Sequence, residues 1–203
     1  DTSKSNIIYP WNGMIQLVID QYTHHYQESL HSVYLRGSVP RGTAIQQLSD
    51  FDTYCVLKPG IESNDKNWIE AAEHSFSKKY NYLTTIDFYV LTYEEIFPSI
   101  PNNNRISQQH QFVLSTQSIC IYGTDLTKKV PLFKADYQTA LILTLNIEEC
   151  IEKIKLGMLQ AQTVEIAKAW CAWGMKVLLR NELITAMPLL GKFTRDLYWC
   201  YEG

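Results

Sequence analysis

The chain has 203 residues, of which 46% are hydrophobic and 19% charged, with a formal net charge of -3. That size allows one large or two small domains with a real core, and the composition excludes a disordered chain. The mildly acidic balance excludes bulk attraction to nucleic acid or an anionic membrane, so a polyanion site must be a local basic patch, and a small anionic ligand is the easier partner. The five cysteines are scattered, without a CxxC pair or a histidine cluster. They read as buried thiols of a reducing compartment. No apolar run reaches membrane-span length and no charged segment leading into an apolar one opens the chain, so the cytoplasm is the expected address. The chain starts without Met and stops straight after a helical pattern, as a trimmed piece of a longer protein would.

In chain order, residues 11–31 place Met14, Ile15, Val18, Ile19 and Tyr22 at helical spacing and predict an amphipathic opening helix. Residues 32–35 predict a short strand running into a Gly37-Ser38 turn. Pro40 suits a first helical turn, and residues 44–48 predict a short helix. Residues 51–57 read as a strand ended by Lys58, Pro59 and Gly60, 67–80 as a helix, and 84–91 as a third strand rich in β-branched and aromatic residues. Residues 99–104 form a polar loop, 106–116 a helix and 118–122 a brief strand closed by Gly123. Beyond Ala135 only helical periodicity remains, in residues 137–160, 163–182 and 188–201. The expected fold is therefore α+β: an α/β domain with a small mixed sheet over residues 1–131, then a helical bundle over 132–203.

Chemistry concentrates between residues 35 and 52. Asp50 and Asp52 stand two apart at the start of a strand and project to one face. Carboxylates held that close repel unless a cation intervenes, and oxygen-only ligands suit a hard ion such as Mg2+. Asp87, alone in an otherwise apolar strand, is the natural third carboxylate, because an unpaired acid there is costly to bury away from a cation. Ahead of them, Gly37 lets the backbone approach a phosphate, Ser38 offers a hydroxyl, and Arg36 and Arg41 flank the turn with fork-like donors. In the helical half, Lys168, Lys176 and Arg180 recur near one helix face, as a triphosphate clamp or a solvated side, while Trp170 and Trp173 read as core. The five histidines lack ligand spacing.

The run Leu35, Gly37, Ser38, then Asp50, Phe51, Asp52 resembles the signature of the DNA polymerase β nucleotidyltransferase superfamily, with Arg36 intervening before the glycine and Thr53 where an apolar residue is usual. Gly37 to Gly42 followed by Ser49 to Asp52 is similar to the minimal and antibiotic nucleotidyltransferases of that group. Ile121, Tyr122, Gly123, Thr124, Asp125, Leu126 resembles the segment closing many such domains, and Thr194 to Leu197 a helix of bacterial members. The resemblance implies two Mg2+ ions held by Asp50, Asp52 and Asp87, the β and γ phosphates of ATP or another nucleoside triphosphate on Gly37 and Ser38, and Asp87 as general base, with Glu94 or Glu95 as alternatives. Arg41, Lys176 and Arg180 are the expected further nucleotide contacts. The expected reaction is transfer of a nucleoside monophosphate, AMP first, to a hydroxyl acceptor with release of pyrophosphate. An aminoglycoside acceptor would need an acidic cleft, for which Glu94, Glu95, Asp125, Glu148, Glu149 and Glu165 are candidates. A protein side chain or a tRNA end is the alternative acceptor, and a non-catalytic nucleotide-binding or partner-binding module is the alternative class.

Overall fold

The computed structural model describes residues 2–62, 66–99 and 104–202, divided into two units, Asp1–Leu132 and Phe133–Gly203. The first unit contains helices α1 (Met14–Tyr26), α2 (Ser38–Arg41), α3 (Trp68–Lys79), α4 (Tyr93–Ile96) and α5 (Arg105–Gln117). Its sheet comprises β1 (Leu30–Arg36), β2 (Phe51–Leu57), β3 (Ile86–Leu91) and β4 (Ser118–Gly123). The strand order is β3-β2-β1-β4, with β1 antiparallel to β2 and β4 and β2 parallel to β3. A parallel neighbour requires the chain to travel back along the sheet, which is why a helix, α3, joins β2 to β3.

Side-chain alternation divides the sheet's two faces. Phe51, Cys55 and Leu57 of β2 join Val33, Leu35, Ile86, Phe88 and Val90 in a core with Met14, Val18 and Tyr22 of α1 and Phe76 of α3. On the opposite face Tyr34, Tyr54, Val56 and Leu91 pack with Ile96, Leu114 and Leu126. Both faces being covered makes β2 almost wholly buried. The second core covers only part of its face, and at its open end Arg36, Asp52 and Asp87 stay half-buried.

The segment closing β4 has a defined task. The Leu126 N–H donates to the Tyr34 hydroxyl at 2.7 Å and the Thr127 N–H to Asp125 Oδ1 at 3.0 Å. Gly123, at φ 78°, lies so close to β1 that a Cβ would run into the His31 carbonyl and come within 2.9 Å of Ser32 Cα. We expect Gly123→Ala to cost about 2–4 kcal/mol through strain and overpacking, read as a lowered urea midpoint. An unchanged midpoint would contradict this packing.

In this unit the structure departs from the sequence pattern at three places. Residues 44–48 form a turn instead of a helix: the Ile45 N–H donates to Ser49 Oγ at 2.9 Å, and Gln47 adopts φ 63°. A side chain competing for a backbone donor is a recognised way out of a helix, and the helical turn comes earlier, at Ser38–Arg41. The opening helix stops at Tyr26, where Gln27 turns to φ 42°, and Leu30 and His31 enter β1. The short α4, not expected from the sequence, is fixed by a capping box between Thr92 and Glu95. Residues 100–103 of the expected polar loop lie outside the described residues.

The second unit is helical: α6 (Tyr137–Leu143), α7 (Ile147–Leu159), α8 (Val164–Leu190) and α9 (Leu197–Glu202). The single helix expected over 137–160 is interrupted because Asn146 caps α7 and the Leu145 N–H donates to Asn181 Oδ1 at 2.7 Å. Conversely α8 runs on through Pro188, which sits in its last turn, to a left-handed Gly191. A proline so near the end removes a single helical hydrogen bond. Trp170 packs on α7 at Gly157, where a Cβ would collide with the indole, and Lys153 lies 5.2 Å from the Trp173 ring centroid. Among the described residues no helix is long and apolar enough to cross a membrane. The sheet and helices give the α+β class that the sequence pattern indicates.

Candidate functional site

Register brings the carboxylates together. Asp52 is the direct partner of Asp87 on β3 and of Arg36 on β1, and Arg36 in turn opposes Ser118 on β4. Neighbouring strands lie about 4.8 Å apart, so Ser118, Arg36, Asp52 and Asp87 form one row across the sheet. Asp50 immediately precedes β2 and shares the face of Asp52 by the two-residue period. Its Oδ1 accepts a hydrogen bond from Thr85 Oγ1 at 3.0 Å, and Phe51 N–H donates to Thr85 O at 2.9 Å, tying both strand entrances together.

This crowding has an electrostatic cost. Asp87 is pushed up to about 6, first by burial, then by the charges of Asp52, Asp50 and Glu73, with Arg36 opposing the rise. Glu73, on α3, accepts the Phe88 N–H at 2.9 Å. Arg36 offers Asp52 a loose ion pair, Nη2 to Oδ1 3.8 Å.

The Gly37 turn abuts this row. Gly37 adopts φ 86°, and a Cβ there would collide with Asp52 Oδ2. Glycine is therefore demanded twice, by backbone conformation and by contact with a site carboxylate. The turn is pinned from the N-terminal segment: the Ser3 N–H and Asn6 Nδ2 donate to the Pro40 carbonyl at 2.8 and 3.1 Å. On either side of it, Arg36 and Arg41 each bury an Nε–H that meets no acceptor among the described residues. Buried donors are almost always paired, so two such donors beside one turn are suited to an anion.

Thr53 was the residue out of place in the sequence pattern, and the structure supplies its reason. Its hydroxyl donates to the Asp87 carbonyl at 2.7 Å and shares a 3.0 Å hydrogen bond with the buried Tyr22 hydroxyl, which also meets the Tyr89 main chain. Thr53 and Tyr22 thus fix the β3 backbone on either side of Phe88, at Asp87 and Tyr89. We expect Thr53→Val, which removes these bonds while keeping the shape, to cost about 1–3 kcal/mol of stability. Equal urea midpoints for variant and wild type would contradict the arrangement.

No family model matches the chain, and no curated protein matches it. Among solved structures, the chain is similar to spectinomycin adenyltransferase AAD(9) from Enterococcus faecialis, crystallised with ATP and spectinomycin, at 12% identity and a TM-score of 0.49, over 91% of this chain and 79% of that one. It is also similar to a toxin-antitoxin structure containing AMP-PNP, at 15% identity and a TM-score of 0.36, over 56% of this chain and 77% of the other.

The site residues differ in how far the fold assembles them. Asp52, Asp87, Gly37 and Arg36 adjoin one another, with Asp50, Ser38 and Arg41 next along the same segments. Glu94 and Glu95 follow the far end of β3, at least ~13 Å along the strand from Asp87. Glu94 Oε1 accepts the Gly60 N–H at 2.9 Å, and Glu95 is spent on its capping box. That geometry keeps both glutamates away from the row of Asp52 and Asp87. Lys176 and Arg180 lie four apart on α8, both half-buried, in the second unit.

As they stand, no three His, Cys, Asp or Glu side chains among the described residues converge at metal-ligating spacing. Asp50 is held toward Thr85 and Asp52 faces Arg36. The donors nevertheless fit a hard divalent ion in kind: three carboxylates, two in one cross-strand row and the third on the same face, with Asp87 pushed up by burial and by the neighbouring carboxylates.

Proposed function

We propose that the chain is a nucleotidyltransferase that uses a nucleoside triphosphate, ATP first among them, and transfers the monophosphate to a hydroxyl. The observation that carries this reading is the contact of the Gly37 turn with Asp52 within the Arg36-Asp52-Asp87 row. It sets anion-seeking and cation-seeking groups side by side, as a metal-bound polyphosphate requires. Gly37 and Ser38 receive the β and γ phosphates, with Arg41 beside them. Asp50, Asp52 and Asp87 would hold Mg2+, which when bound supplies countercharge for the negative charge developing on the phosphate oxygens.

Asp87 takes the proton from the acceptor hydroxyl, whose oxygen bonds to the α-phosphorus while the bond from that phosphorus to the bridging oxygen of the β-phosphate breaks, so that pyrophosphate leaves with the electron pair. Lys176 and Arg180 are proposed as additional triphosphate contacts. The acceptor is proposed to be a small hydroxylated molecule of the aminoglycoside type.

The test incubates the protein with Mg2+ and each triphosphate against aminoglycosides, a lincosamide, bulk tRNA and protein, measuring pyrophosphate release and product mass. Gain of one nucleoside monophosphate on a single acceptor class is the expected result. Binding of nucleotide with no product on any acceptor would instead favour the non-catalytic module.

A further inference from the structure

Arg36 stands where the resembled pattern carries no charge, and its surroundings give it a specific ligand. Its guanidinium lies in the same cross-strand row as Asp52 and Asp87, so any phosphate it meets is the one those carboxylates serve. It is poorly satisfied where it is: the ion pair to Asp52 is long at 3.8 Å, and the buried Nε–H meets no acceptor among the described residues. A guanidinium normally binds an oxyanion through two parallel N–H donors. The edge offered here, with Nη2 only loosely engaged, is suited to an oxyanion. Arg41 also buries an Nε–H without an acceptor among the described residues, but it lies on α2, beyond the Gly37-Ser38 turn. The two arginines therefore lie on either side of the Gly37-Ser38 turn, one at the end of β1 and one in α2.

We propose that Arg36 binds the α-phosphate, the group being transferred, and that Arg41 serves the β and γ phosphates. This inference rests on the nucleotidyl-transfer reading and deepens it. In the ligand-free protein Arg36 is the internal countercharge of Asp52. With nucleotide present it turns its Nε and Nη donors to the non-bridging oxygens of the α-phosphate, where charge builds during transfer. The sequence thus places a cationic stabiliser one residue ahead of the phosphate turn, inside the carboxylate row itself.

Calorimetry with the full chain tests this, using a non-hydrolysable ATP analogue and, separately, pyrophosphate, each with Mg2+. Arg36→Gln is expected to weaken the analogue about 10- to 100-fold while changing pyrophosphate by less than about threefold, whereas Arg41→Gln weakens both. Arg36→Lys keeps the countercharge to Asp52 and lacks the Nε–H. It should fold like the wild type and still bind the analogue weakly, which separates a lost contact from lost folding. A metal-only titration supplies a readout without nucleotide: Mn2+ should bind Arg36→Gln more tightly than wild type, because the variant removes a cation that competes with the metal for the charge of Asp52. Equal weakening of analogue and pyrophosphate by Arg36→Gln, or weakening of neither, would overturn the assignment. Wild-type protein that binds neither probe would overturn the nucleotidyl-transfer reading itself, before any variant is compared.

Discussion

Asp52→Asn is expected to lower nucleotide transfer by at least about a thousandfold while leaving the fold as stable as wild type or more so. Asp52 is the hub of the row: it opposes Asp87 in register, pairs with Arg36 and touches the Gly37 turn. An amide of the same shape keeps the fit against the Gly37 turn and gives up only a loose, half-exposed ion pair with Arg36, yet it removes the charge that repels Asp87 and that a divalent ion requires. Half-burial of Asp52 at the open end of the second core means that no packed apolar group is lost. Product yield by mass spectrometry and the urea midpoint together test this. A variant retaining a tenth of the activity would remove Asp52 from the chemistry, and a variant that unfolds would make it a structural residue.

Asp87→Asn is expected to separate from wild type in a pH-dependent way that needs no substrate. The carboxyl titrates near 3.8 when unperturbed and is raised to about 6 in the fold. The folded state therefore prefers the protonated acid. The advantage is fully present below pH 3.8, is lost as pH rises through about 6, and leaves an ionised, crowded Asp87 as a standing cost above that. Asparagine carries no such cost. Thermal unfolding without divalent ions should show the variant melting roughly 2–4 °C above wild type at pH 8, with the gap closed at pH 3.5. Under the proposed reaction, activity should move the other way, because the variant lacks the carboxylate proposed to take the acceptor's proton. A gap of equal size at both pH values would mean that packing, not ionisation, separates the two proteins.

That the carboxylates would fall at strand starts beside the Gly37 turn was legible in the sequence because the signals are local and periodic. Asp50 and Asp52 straddle Phe51 at the start of β2, and Asp87 stands out against the apolar residues of β3. What periodicity could not show is register. That Asp87 lies opposite Asp52 and not one residue aside, and that Arg36 completes the row, depends on strand pairing across separations of 35 and 16 residues. The role of Thr53 was visible only as an anomaly, since the hydroxyl that explains it belongs to Tyr22 on α1. Elsewhere local competition defeated the pattern. Ser49 takes the Ile45 N–H and unmakes a helix, Asn146 and Asn181 divide another, and Pro188 falls near enough to a helix end to be carried within it. The short α4 has too few residues to show a period and is set by one capping pair.

The most direct test of nucleotidyl transfer compares two labels in one reaction: ATP labelled at the α-phosphate and ATP labelled at the γ-phosphate, each with Mg2+ and the acceptor panel. The α label should arrive on the acceptor and the γ label should leave as pyrophosphate, with both signals absent in Asp52→Asn. Arrival of the γ label on the acceptor, or equal signals from wild type and Asp52→Asn, would contradict it.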